Sequence, residues 1–588
     1  MSRRTVGALL ALLLVASPAR AEEDVAPESA ITTYSPYELA TIDEAAKTLG
    51  TEVDPDAEGK IIESVELVRL DPIEKRDPFP LFLNKAHVTT KEDVILHEIL
   101  LRPGDRYKRV LADESARNLR SFAHMTIIVC VPMKGRTKDR VRLVMITKDV
   151  WTLIVDVDFH VTPGGPEYMM LEVEENSFLG RQLALSSRSV IQPESASLGA
   201  ELLWPRFAGR WLFMQAEGNV IINRRSGEPE GSWGEATVLR KLFSTRSPWG
   251  WGIQTKWRDE VFRRYTNAAV AEFRGGLPFL WRSRKIEQSA FITRSFGWAK
   301  KKDITVGAHL VRDIYRVPNA TEYDKDIVNQ FISETVPVGE TRVYPYIEGR
   351  FYRNDFLRIR DFETLGLQED YRLGYDLIAR GYPIARWAGS SRDLVGLRLG
   401  AMYTIALGDG FARAMIDTVT EAEPERIADA RIDGELRIVS PRTPAGRLIL
   451  DIAATNRWRN YLNRISNMGG EDRLRGWPTR YFVGKNTYAM NFELRSRAVE
   501  ISSIHIGAAA FYDNGSAFNG SFDQIHPAHS VGLGLRIVAP QIDRNVIRMD
   551  FGFPIVPGLR PSDVPPMSFF FSYHQAFRMT HQPSPFGP

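Results

Sequence analysis

From Leu153 onward the chain alternates apolar and polar residues with a period of two. The segments are roughly ten residues long, the length of a tilted strand that crosses a bilayer. In LIVDVDFH, Leu153, Val155, Val157 and Phe159 fall on one face, and Asp156, Asp158 and His160 on the other. In GLRLGAMYTIAL, Leu397, Leu399, Ala401, Tyr403, Ile405 and Leu407 share a face. VIRMDFGF sets Ile547, Met549, Phe551 and Phe553 against Arg548, Asp550 and Gly552. SFFFSYHQAF puts Phe569, Phe571, Tyr573 and Phe577 together. About 19 such segments can be marked; a barrel whose ends share one side needs an even number, so some are expected to merge or to lie in loops.

Residues 61–150 follow a different pattern. IIESVELVRL (Ile61 to Leu70) alternates as a strand, and Thr89-Thr90-Lys91-Glu92 matches a capping box opening a helix over VILHEILL. Tyr107 to Arg120 has helical spacing, with Val110, Leu111 and Leu119 apolar; Thr126 to Val131 and Arg140 to Thr147 read as strands. The order is β-α-α-β-β. Residues 22–60 are polar and contain prolines, with one helix expected over Tyr37 to Leu49, and read as an N-terminal extension.

Composition narrows the compartment. MSRR is followed by the apolar run Ala8 to Ala16 and by SPARA, so residues 1–21 read as a cleaved leader ending in Ala-x-Ala. No cysteine follows that run, which argues against a lipoprotein anchor. Cys130, the single cysteine, lies in TIIVCVP and reads as a small buried hydrophobe, leaving an exported chain with no internal disulfide. Beyond residue 21 no apolar run approaches the length of a membrane helix. The net charge of +3 gives no footprint for nucleic acid.

A soluble sandwich hides its apolar faces between sheets, whereas a transmembrane barrel turns them to lipid and keeps charge in the lumen. The opposite faces here repeatedly carry Asp, Arg, Gly and Ser, and Trp151, Trp204, Trp211 and Trp251 lie near segment ends, where interfacial aromatics belong. The pattern therefore predicts a transmembrane antiparallel β-barrel over 151–580.

Near the C-terminus, RLRGWP (Arg473 to Pro478) follows Gly469 and Gly470. The strand after it contains NFELR, where Glu493 faces the lumen and Phe492 the lipid. The next, IHIGAAAFYDNG, turns Phe511, Asp513 and Gly515 inward. Consecutive strands are usually neighbours, so Glu493 and Asp513 share a patch of wall. A loop folding inward would bring the Arg475 guanidinium to both carboxylates, with Gly476 turning the tip and Trp477 packing on the wall. A catalytic carboxylate pair is the weaker reading, because luminal carboxylates beside an Arg are usually structural. No zinc spacing, nucleotide loop or nucleophile elbow occurs, so neither enzyme activity nor a cofactor or metal is expected.

These motifs resemble the BamA/TamA superfamily of outer-membrane insertases and transporters, which includes two-partner secretion pores. Its hallmark is an Arg-Gly-aromatic tip, here Leu474-Arg475-Gly476-Trp477, paired with acidic residues matching Glu493 and Phe511-x-Asp513-x-Gly515. VEENSFLG (173–180) and GLGLRIVAP (532–540) also resemble family strand motifs. The usual tip is Val-Arg-Gly followed by Phe or Tyr, and family barrels often end on an aromatic residue, for which Phe577 stands eleven residues before the chain end. The resemblance implies a barrel of about 16 strands preceded by one periplasmic POTRA (polypeptide-transport-associated) domain at 61–150, in the bacterial outer membrane. It implies insertion or translocation of unfolded or secreted client polypeptides through a laterally opening barrel, with accessory periplasmic proteins or lipoproteins as partners. The alternatives are a two-partner-type secretion pore, a passive channel, or an exported soluble β-rich enzyme.

Overall fold

The computed structural model describes residues 34–576 except 122–123, 163, 267, 471–472 and 563. The expected leader (1–21), residues 22–33 and Phe577 lie outside the described residues. The first element is helix α1 (Pro36–Leu49), closed at its start by a capping box between Ser35 and Glu38 and at its end by left-handed Gly50. A three-stranded sheet follows, built from β1 (Ile61–Leu70), β2 (Met125–Lys134) and β3 (Arg140–Asp149), with β3 central, parallel to β1 and antiparallel to β2. Helices α2 (Glu92–Glu98) and α3 (Arg109–Arg120) pack on one face through Ile95, Leu111 and Leu119. Helix α1 covers the other face through Tyr37, Ile42 and Ala45, so the unit has three layers.

Two local expectations change. Val110 points to solvent. Helix α2 has no capping box: Lys91 is its cap and makes no side-chain cap bond, while Thr90 donates through both its N–H and its hydroxyl to Asp149. A buried carboxylate one strand away competes with the helix end for that threonine. The outer edge of β2 is also partly taken by the chain itself: Lys134 N–H donates to Glu52 and Asp54 N–H donates to Pro132, each at 2.9 Å.

Beyond Trp151 the chain forms a closed antiparallel barrel. Its outer surface carries Leu153, Val155, Val157, Phe159, Leu397, Leu399, Tyr403, Ile405, Phe551 and Phe553, all exposed, as the alternation requires. Of 22 strand segments, Thr341–Arg353 and Asp355–Ile359 lie in series on one neighbour, as do Asn486–Arg495 and Val499–Ile501 on another. The barrel therefore has about 20 staves and not 16. The smaller number came from the resemblance; the alternating segments themselves lie close to the observed count and did not need to merge. The even number brings both barrel ends to the mouth beside the α/β unit, here the near mouth.

The α/β unit sits against near-mouth turns spread around the rim. Arg120 donates to Asp370 at 2.6 and 2.9 Å, and Arg358 to Asp113 at 3.0 Å. Thr245 donates to Glu114, Arg206 pairs with Glu98, and Gln182 donates to Thr90. Ser503 and Gln541 both donate to Asp77 at 2.7 Å.

Candidate functional site: an inward loop locked on the barrel wall

The loop between the strands Arg447–Asn460 and Asn486–Arg495 leaves from the far mouth and folds into the lumen. Gly469 and Gly470 adopt positive φ (120° and 95°) at its shoulder, where Pro478 and Thr479 pass within contact of any added Cβ. These two glycines make the sharp turn that the sequence assigned to Gly476. Gly476 serves a different purpose: its φ is not positive, and a Cβ there would lie 2.5 Å from the Ser530 Cβ and 2.7 Å from the Phe553 backbone. From the wall side, a Cβ on Gly552 would meet the Arg475 carbonyl at 2.3 Å. Two glycines on facing backbones thus let the tip lie directly on the wall. Gly515 does the same for the shoulder, where a Cβ would approach the Met468 sulfur to 2.7 Å.

This seating presents Arg475 to the inward residues of the adjoining strands, and Arg475, Glu493, Asp513 and Asp550 are all fully buried. Arg475 Nε and Nη2 each donate to one oxygen of Asp513 at 2.9 Å, and its backbone N–H reaches the same carboxylate at 3.1 Å. Nη1 donates to Glu493 at 2.7 Å and to Asp550 at 3.1 Å. The guanidinium lies 3.4 Å above the Phe511 ring centroid, a cation–π contact strengthened by exclusion of water. Trp477 packs with Leu474, Met468 and Val564, and its indole N–H donates to the His529 carbonyl at 3.0 Å.

Three further arginines surround the carboxylates. Arg495 donates to Glu493 at 2.7 Å, Arg536 to Asp550 at 2.5 Å, and Arg548 to Asp550 at 3.0 Å. Arg536 also donates to Gln575 at 2.8 Å, just past the last strand, Ser568–Ser572. Ser568 donates to the Gly476 carbonyl at 3.3 Å, so the tip bears on the wall as far as the closing strand. Asp550, Arg495, Arg536 and Arg548 all have inward parity in the sequence, but parity does not say which inward residues a loop will reach.

A second inward segment, 360–368, comes from the near mouth and has no sequence pattern of its own. The Glu369 carboxylate receives the backbone N–H groups of Phe362, Glu363 and Thr364 and the Tyr371 hydroxyl. Arg495 donates to the Phe362 carbonyl at 2.5 Å and Arg447 to the Arg360 carbonyl at 2.9 Å. The two inward segments therefore meet through Arg495 and Glu493. Among the described residues, no cluster of His, Cys, Asp or Glu could hold a metal.

An apolar outside, a charged inside and closure without an edge define a transmembrane β-barrel of the outer-membrane kind. No family model matches the chain. It is 30% identical over 177 residues to a curated Treponema pallidum (strain Nichols) protein described as "Putative outer membrane protein assembly factor", a match covering 28% of this chain. The match spans a fifth (20%) of that relative. Among solved structures, CdiB from Escherichia coli aligns with a TM-score of 0.42 and 10% identity, over 95% of this chain and 92% of that one. BamA from Haemophilus ducreyi lacking POTRA domains 1–3 aligns with a TM-score of 0.33 and 11% identity, over 87% and 84%. The curated match supports the resemblance to the BamA/TamA superfamily carried by the tip and its carboxylates.

Proposed function

We propose that this chain inserts or translocates other polypeptides at the outer membrane, with residues 61–150 acting as a periplasmic POTRA domain after the extension 22–60. The observation that carries this reading is the Arg475 lock, which fixes an inward loop on the strands leading to the closing strand. That last strand has five residues against ten in the first, Leu153–Thr162, so the seam between them can pair at most half of the first strand and is a natural place for lateral opening. Clients would be unfolded or secreted polypeptides that add a strand to an exposed sheet edge, on the POTRA unit or at the seam. On this reading client folding drives the process, accessory periplasmic proteins or lipoproteins assist it, and no catalysis, ATP or cofactor is involved. The two inward segments and the α/β unit at the near mouth favour this role over a permanently open channel.

The test is Arg475→Ala in the full chain, read by migration of unheated protein on a gel and by assembly of newly made outer-membrane proteins. Loss of the compact fast-migrating form together with reduced assembly is expected. Unchanged compactness with normal assembly would overturn the role of the lock. Large steady single-channel conductance in the wild type would favour the pore reading instead.

A further inference from the structure

The segment 71–91 joins β1 to α2 and holds to the barrel rim at two places. At one, Asp77 accepts from Ser503 and Gln541, which lie on turns next to the last strands. At the other, Lys91 N–H donates to the Gly180 carbonyl at 2.9 Å, and Thr90 accepts from Gln182, both on the turn between the second and third barrel strands. The first and last strands stand between these anchors in the wall. The segment thus runs beneath the seam.

Its middle carries a 3₁₀ turn, Leu81–Ala86, that leaves large apolar side chains uncovered. Phe82 is 65% exposed, Leu81 49% and Val88 52%, grouped on one segment of a domain whose other exposed large hydrophobics, Leu96 and Val110, lie on helices α2 and α3. Val88 lies against the barrel turn at Gly180, where a Cβ would approach its Cγ1 to 3.3 Å. On that turn Leu179 is 60% exposed, with Phe178 beside it. Leu179 adopts a left-handed conformation (φ 56°), an unfavourable choice for a branched apolar residue. From Leu179 the apolar surface continues into the outward residues Val173, Leu171 and Leu185 of the adjoining strands. Lys75, Lys85 and Lys91 are exposed along the same segment. Apolar side chains flanked by lysines, continuous with a lipid-facing belt, are the composition of a surface that rests in a bilayer interface.

We propose that Leu81, Phe82 and Val88 enter the near-side leaflet beneath the seam, so that the α/β unit is a membrane-resting wedge as well as a periplasmic domain. The partner is the lipid headgroup and upper acyl region, with the lysines facing anionic headgroups. This rests on the barrel being embedded in a bilayer, and the experiment separates the two ideas. Single cysteines replace Phe82, Val155 or Lys138 in the full chain, each labelled with an environment-sensitive NBD dye and reconstituted in phosphatidylethanolamine–phosphatidylglycerol vesicles. Cys130 is buried among apolar side chains and stays unlabelled in this protocol. Val155 faces outward on the first barrel strand and Lys138 lies in an exposed turn far from the rim. The expected result is blue-shifted emission at 82 and 155, with 82 quenched more by headgroup-proximal than by chain-terminal nitroxide lipids, and unquenched red-shifted emission at 138. Emission at 82 matching that at 138, while 155 remains blue-shifted, would overturn the wedge and leave the barrel standing. A water-like signal at 155 would overturn the barrel reading itself. A blue shift at 82 without lipid quenching would assign the surface to protein contact and also overturn the proposal.

Discussion

Arg475 carries one positive charge among three buried carboxylates, and its geometry explains why a lysine is a poor substitute. The planar fork engages both Asp513 oxygens while its remaining nitrogen reaches Glu493 and Asp550; an ammonium offers a point charge and no matching fork. Removing one partner of such a cluster leaves uncompensated charge and costs about 3–5 kcal/mol. The sign of that effect can be tested within the site. Asp550→Asn introduced into Arg475→Ala removes one of the repelling carboxylates, so the double variant is expected to recover part of the lost heat stability. A double-mutant cycle on the temperature of gel-migration change checks this, and strict additivity would show that the two residues are not coupled. Glu493 and Asp513 are readable as inward residues from strand parity alone. Asp550 has the same parity, yet its part depends on how far the tip reaches across the wall.

The inward loop and the segment 360–368 are held in different ways. The loop is held by close backbone approach, so a single methyl group tests it. Gly552→Ala places a Cβ against the Arg475 carbonyl, backbone against backbone, and is expected to displace the tip at a cost of about 1–3 kcal/mol. Faster protease cutting within 461–485 from the far side is the readout, and a cutting rate like that of the wild type would mean the tip tolerates the methyl. The segment 360–368 is held by one carboxylate that satisfies three backbone N–H groups. Glu369→Gln keeps the shape but replaces acceptor capacity with an amide donor facing those N–H groups, and is expected to loosen the segment. Accelerated hydrogen exchange over 361–368, with 461–485 followed in parallel, measures this. Neither arrangement is announced by periodicity, because loops that fill a lumen are not bound by the alternation of a wall.

At the scale of the whole molecule, the α/β unit and the barrel are joined by polar contacts around the near mouth, and Asp77 is a central one. It is buried, which by itself would raise its pKa. The Glu74 backbone N–H, Lys148 and Ser503 outweigh that and hold its carboxyl below the ordinary value. A depressed folded-state pKa contributes stability that is present above the unfolded value and lost as the pH falls through the folded one. The docked arrangement is therefore expected to survive mild acid and to loosen only below the usual carboxylate range, with Asp77→Asn removing that part of the acid dependence. Thermal unfolding of the full chain in detergent across an acid pH series checks both. Sequence alone determines the wall: a period of two with apolar residues on one side can only be satisfied by strands, and in an exported chain it points to lipid. It also determines that Glu493 and Asp513 are luminal candidates, because parity is a local property, whereas Arg475, on a loop, is tied to them in the sequence only by the resemblance of its tip. Tertiary structure decides the number of staves, the seating of the tip through Gly476 and Gly552, the recruitment of Asp550 and the arginines, and the docking of the α/β unit. Those depend on barrel closure and on contacts between residues far apart in the chain, which local periodicity does not encode.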